Sequence, residues 1–127
     1  MHRVRKSLIP GAGKGLFASC DIPEGEPVCQ YGGRYVTTAP NLPEADYSVQ
    51  LQGQELYIVA SDPQEPTQGR WINCAPSREQ INCEFVEYDN DEVWMLATRN
   101  VRKGEELLAW YGSEYGTELV GRDIMQE

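Results

Sequence analysis

Gly104-Glu105-Glu106-Leu107-Leu108-Ala109-Trp110-Tyr111-Gly112 is the stretch of this 127-residue chain from which the rest is read. A Gly-Glu turn feeds the apolar run Leu107 to Trp110, the pattern of a turn entering a buried strand. Working back towards the start, Arg70-Trp71-Ile72-Asn73-Cys74-Ala75 lies past the middle and Gly13-Lys14-Gly15-Leu16-Phe17-Ala18 near the beginning. Each motif is weak alone. Their fixed order across most of the chain makes them informative together.

The segments between the motifs are short apolar runs bounded by turn residues, in keeping with 12 Gly and 8 Pro. Strands are expected at Leu16 to Ala18 and Val28 to Tyr31. Tyr47 to Leu51 and Leu56 to Ala60 read as one hairpin, with Gly53 in its turn. Phe85 to Tyr88 and Val93 to Thr98 form a second, joined through Asp89-Asn90-Asp91. Residues 37–46 and 62–69 read as loops, and only the tail, about 113–121, reads as a helix of any length. This is a mostly-β architecture of several small sheets in a single domain spanning 1–127.

Composition narrows the function. The net charge is −9, from 20 acidic against 11 basic residues. That balance argues against direct nucleic-acid binding, which needs a basic footprint. It suits a basic peptide partner, although an acidic surface also serves solubility. The acids Glu84, Glu87, Asp89, Asp91 and Glu92 crowd one segment. No apolar run has the length to cross a bilayer or to form a signal-peptide core, so a soluble intracellular protein is expected. Cys20, Cys29, Cys74 and Cys83 lack zinc-knuckle spacing and His2 is the single histidine, so no metal site is expected and the cysteines read as free thiols. Oligomeric state stays open, as does whether the chain is whole or part of a longer protein.

The three motifs in this order resemble the SET domain of protein-lysine methyltransferases, over about residues 8–121. Asn73-Cys74-Ala75 stands where most SET domains have Asn-His-Ser. Together with Trp110-Tyr111-Gly112, Tyr115-Gly116 and Leu119 at the branch's spacing, it points to the PR branch. The resemblance implies small curled sheets around a pseudo-knotted centre with a short C-terminal helix. It implies S-adenosylmethionine as cofactor and a lysine in a basic peptide, most naturally a histone tail, as substrate. A nuclear location follows from that substrate. PR domains also include catalytically silent members, so an interaction domain of a larger nuclear regulator is the alternative.

Site residues follow from the matched motifs. The Gly-x-Gly turn implies main-chain cofactor contacts at Lys14, Gly15 and Leu16, where glycines let the backbone approach a ligand. Arg70, Asn73 and Cys74 match the adenine-side motif, and an asparagine amide presents the donor and acceptor that an adenine edge requires. Asn82 stands where PR domains carry a second asparagine. Tyr47 opens a strand that contributes a tyrosine near the cofactor. Tyr31, from Tyr31-Gly32-Gly33, and Tyr111 are the catalytic candidates. Methyl transfer to an amine is an in-line displacement, needing a neutral, tightly oriented nitrogen. An aromatic channel of Tyr31 and Tyr111, with Trp94 or Trp110 as further walls, would desolvate the lysine and lower its pKa.

Overall fold

The protein was analysed as a computed structural model, which describes residues 1–41 and 47–110 and the backbone of 118–119. Among the described residues the strands form three sheets. In the first, β1 (Arg3–Lys6) pairs antiparallel with β2 (Lys14–Phe17), Arg5 opposite Gly15. A four-stranded sheet contains β4 (Arg34–Val36), β5 (Ser48–Gln50), β6 (Tyr57–Val59) and β11 (Glu118–Leu119), in the order β11-β5-β6-β4. The five-stranded sheet contains β3 (Pro27–Gln30), β7 (Asn73–Cys74), β8 (Cys83–Glu87), β9 (Val93–Ala97) and β10 (Leu108–Ala109).

Both expected hairpins form, β5 with β6 and β8 with β9, each antiparallel. The β8–β9 strands alternate as a half-buried pair should: Phe85, Val93, Met95 and Ala97 face inward. Their turn places Asp91 at φ 66°, a left-handed conformation that aspartate tolerates better than most residues. β1 escaped the sequence reading because all four of its residues are exposed and carry no apolar alternation. The tail expected to be helical differs where it is described. Glu118 and Leu119 are extended and pair with Gln50 and Val49, because β5 offers an open edge on that side. The rest of that tail, Tyr111 included, lies outside the described residues.

The order β3-β9-β8-β10-β7 carries the threading. β7 and β8 are near neighbours in sequence, yet β10 lies between them and runs parallel to both. The connection from β7 to β8, which includes a single 3-10 turn at Arg78–Gln80, therefore has to cross β10. Asn82 fastens the crossing. It is 1 % exposed, its Nδ2 donates to the Glu106 carbonyl, and its Oδ1 accepts from the Leu108 N–H, both at 2.8 Å.

Beneath the sheets lies one core containing Leu16, Tyr31, Ile58, Ile72, Met95, Val101 and Leu107. Side chains of this kind contribute about 1.5–3 kcal/mol each when fully buried. Residues of all three motifs (Leu16, Ile72, Leu107) belong to it at 0 % exposure, so the core itself sets the relative positions of the motifs.

Candidate functional site

Backbone pairing joins the motifs first. Leu107 N–H donates to Leu16 O at 2.8 Å, and Phe17 bridges Glu106 in antiparallel register. On its other side the same segment pairs with the middle motif, Leu108 opposite Asn73 and Ala109 opposite Cys74. The C-terminal motif is thus a splice between the other two.

Side chains then close the junction. Asn73 Nδ2 donates to Lys14 O at 3.0 Å and approaches Glu106 Oε2 at 3.4 Å. Glu106, 7 % exposed, also accepts from Ser7 Oγ at 2.6 Å and from Leu8 N–H at 3.0 Å. The need for Gly15 is steric. A Cβ there would collide with the Glu106 carboxylate and come within 3.1 Å of Asn73 Nδ2. Lys14, Gly15, Leu16, Asn73 and Cys74 therefore come together at one junction. The donor face of the Asn73 amide is committed inside the protein, and the Asn73 main chain is paired with β10.

Arg70 and Tyr47 form a second group beside it. The Arg70 guanidinium lies 4.2 Å from the Trp71 ring centroid and 4.6 Å from that of Tyr47. Arg70 Nε donates to Ala60 O at 2.7 Å, and a second nitrogen reaches Ser61 O at 3.4 Å. Only 8 % exposed, this cation is held by carbonyl dipoles and two aromatic faces. It sits on the 3-10 turn Gly69–Trp71, which packs against β2 and leads straight into β7. Arg70 thus ties the β5–β6 hairpin to the strand that carries Asn73.

Tyr31 is 2 % exposed, edge-to-face with Phe85 at 5.7 Å. Gly69 lets the 3-10 turn lie against it, since a Cβ there would stand 2.7 Å from Tyr31 Cα. Trp94 does not share that environment. It alternates with the inward-facing Val93 and Met95, so it occupies the opposite face of β9 from the Phe85 side. There it stacks on Tyr88 at 6.4 Å and donates from Nε1 to Glu92 at 2.9 Å. Of the walls expected beside Tyr31, Trp94 thus lies on the opposite face of β9 from Phe85. Trp110, at the end of β10, is 2 % exposed, with Arg78 at 5.8 Å from its ring centroid.

The acidic segment is the β8–β9 turn, and most of its carboxylates are engaged. Both Glu87 oxygens accept from Gln52 N–H at 3.0 and 3.1 Å, and Asp91 Oδ1 accepts from Gln54 at 3.2 Å. Asp89 is exposed. Tyr35 donates to Asp91 O at 2.9 Å, and burial, with Glu92 and Asp91 nearby, raises its pKa. All four cysteines are free thiols. Burial pushes Cys29 up to about 12 and Cys83 well above the usual thiol range. Among the described residues no cluster of three metal-ligand side chains occurs, and no helix is long and apolar enough to cross a membrane.

Two features were given no role in the sequence reading. Glu106 lay inside a quoted motif, its only signal being a carboxylate next to an apolar strand, a position that demands donors. The N-terminal arm carried no signal. His2 N–H donates to Gln68 Oε1 at 2.8 Å, its Nδ1 accepts from Ser19 N–H at 3.0 Å, and its Nε2 lies 3.1 Å from Val28 O.

The family model described as the SET domain matches residues 13–112. Among relatives, the chain is 30 % identical over 122 residues to "Histone-lysine N-methyltransferase set-17" of Caenorhabditis elegans, covering 94 % of this chain and 44 % of that protein. It is 32 % identical over 121 residues to "Histone-lysine N-methyltransferase PRDM7" of Homo sapiens, covering 92 % and 24 %. The chain thus spans less than half the length of these relatives. Among solved structures, the SET domain of RIZ1 tumor suppressor (PRDM2) superposes with TM-score 0.67 at 23 % identity, covering 87 % of this chain and 68 % of that one. A structure of ctPRC2 in an autoinhibited conformation bound to S-adenosylmethionine matches with TM-score 0.68 at 25 % identity, covering 90 % of this chain and 15 % of that one.

Proposed function

This chain belongs to the SET-domain family, in its PR branch, and from that premise we propose that it is an S-adenosylmethionine-dependent protein-lysine N-methyltransferase. Its substrate class is a lysine within a basic peptide, with histone tails first among them and the nucleus as the place of action. The observation that carries this reading is the convergence of Lys14-Gly15, Asn73 and Glu106 on one junction, although they are far apart in sequence. The relatives named as histone-lysine methyltransferases support the reaction class.

The residues fit the cofactor. Gly11 and Gly13 turn the chain before β2 at φ 80° and 74°, and the space beside both α-carbons is open. A backbone bared in this way suits an amino-acid carboxylate. The Cys74 main chain, with Asn73 Oδ1, would meet the adenine side. When bound, S-adenosylmethionine supplies an electrophilic methyl group. Everything else falls to the chain: Tyr31 and Tyr111 orient the incoming amine, exclude water and add no rival nucleophile. A lysine near pKa ~10.4 must arrive neutral, and an aromatic, water-poor passage favours the uncharged form. The carboxylates of the β8–β9 turn favour the approach of a basic peptide.

The test is mass spectrometry of histones and basic peptides after incubation with methyl-labelled cofactor. Label on lysine is the expected result. A folded chain that neither binds the cofactor nor transfers methyl would overturn the proposal in favour of a silent interaction domain.

A further inference from the structure

We infer that Glu106 is a positioning residue for the cofactor turn, and that through it the N-terminal arm belongs to the cofactor site. The inference rests on the reading above, in which that turn holds the cofactor. One buried carboxylate here touches three separate pieces of chain. It accepts from Ser7 Oγ and Leu8 N–H on the arm, approaches Asn73 Nδ2, and fills the space that a side chain at residue 15 would occupy. Ser7 Oγ itself accepts from Ile9 N–H at 3.0 Å, so the arm is braced where it enters the Gly-rich turn.

Asn73 Nδ2 has two acceptors, Lys14 O and Glu106 Oε2. The carboxylate therefore fixes the rotamer with which Asn73 holds Lys14 O, and with it the outward direction of the neighbouring amides. Ser7 N–H donates to Gly13 O at 2.8 Å, so arm and turn are also joined through the backbone. A neutral amide in place of the carboxylate keeps the volume but turns one acceptor into a donor facing Leu8 N–H or Asn73 Nδ2. A buried donor opposed to a donor is costly, and the turn is the softest element able to move away. Glu106 does not touch reacting atoms in this account. It acts on cofactor affinity through Asn73 and Gly15.

The experiment measures the Kd of S-adenosylmethionine by calorimetry for wild type, Glu106→Gln, Ser7→Ala and the double variant. Amide hydrogen exchange of residues 13–16 is followed in parallel without cofactor. Glu106→Gln should weaken cofactor binding about tenfold while kcat at saturating cofactor and the peptide KM stay within about twofold. Ser7→Ala should weaken it about threefold, with the double variant short of the product because the two share one hydrogen bond. Exchange at 13–16 should quicken in both single variants ahead of the rest of the sheet. Equal loss of kcat and affinity, or exchange that quickens uniformly, would reduce Glu106 to a packing residue. Should Glu106→Gln fail to fold, unchanged Kd and unchanged exchange in Ser7→Ala overturn the inference. Failure of wild type to bind the cofactor counts against the proposed function, and exchange at 13–16 then decides the positioning role alone.

Discussion

Asn73 holds the carbonyl oxygen of Lys14 at 3.0 Å across 59 residues of sequence. That hydrogen bond places the asparagine as a brace beneath the Gly13–Gly15 turn. Asn73→Ala should therefore lower cofactor affinity by two routes at once, loss of the acceptor and release of the turn. The expected cost is on the order of 1–3 kcal/mol. Calorimetry on the folded variant checks it, and unchanged affinity would remove Asn73 from the site.

His2 makes the arm sensitive to pH. Its Nδ1 accepts from Ser19 N–H, so the ring is neutral with its proton on Nε2, facing Val28 O. Burial, and then the charge of the first amino group, lower its pKa. The folded pKa lies below the unfolded value of ~6.5, so the contribution is fully present above that value. It is lost as pH falls from there through the depressed folded pKa, because the unfolded chain then takes up the proton first. The melting temperature should drop between pH 7.5 and 5.5 (about neutral to mildly acidic), and His2→Ala should flatten that part of the profile. Parallel profiles for the two proteins would refute this role of His2.

Thiol reactivity should divide by burial. Cys83 is 0 % exposed and Cys29 is pushed up to about 12, so neither offers thiolate near neutrality. Cys20 is exposed. Iodoacetamide at mildly alkaline pH should alkylate Cys20 first, with Cys29 and Cys83 modified only on unfolding. Peptide mapping that finds Cys83 labelled in the native protein would contradict the packing of β8 beside β10.

The exposed carboxylate of the β8–β9 turn is the place to test substrate capture. Asp89→Lys leaves the engaged Glu87 and Asp91 in place. It should raise KM for a basic peptide several-fold and weaken its salt dependence, with kcat nearly constant. If KM does not move, the turn is a solvated hairpin end and no more.

Tyr111→Phe should remove catalysis without harming the fold, since the ring volume is kept. If its hydroxyl orients the amine only at the transition state, kcat should fall on the order of 10²-fold with cofactor affinity unchanged. Single-turnover methylation of the best peptide decides it. Equal rates would transfer the role to Tyr31.

The parts of the fold legible in the sequence were those where burial alternates along a strand. Both hairpins follow from such alternation, with Val93 and Met95 inward and Trp94 outward. β1 was not legible because its side chains are all solvent-facing, and Asn73–Cys74 is too short to show a period. The site was legible as motifs but not as chemistry. Asn73 looked like a ligand-reading amide, while the carbonyl that occupies its donor comes from a segment no local pattern connects to it. Arg70 was read with the adenine-side motif, while the Ala60 carbonyl and the Tyr47 ring that hold its guanidinium come from segments no local pattern connects to it. Long-range satisfaction of buried polar groups is a property of the assembled core, which periodicity does not encode.

The position of β10 also bears on how the protein is made. Its two flanking strands leave the ribosome well before it does, and until then their facing edges are open to any passing strand. A nascent chain in that state is exposed to mispairing, a hazard that slow, non-local strand pairing aggravates. The last insertion that heals this gap also carries Glu106 to Gly15 and brings the chain to the threshold of Tyr111. Closure of the sheet therefore coincides with the joining of the three motifs.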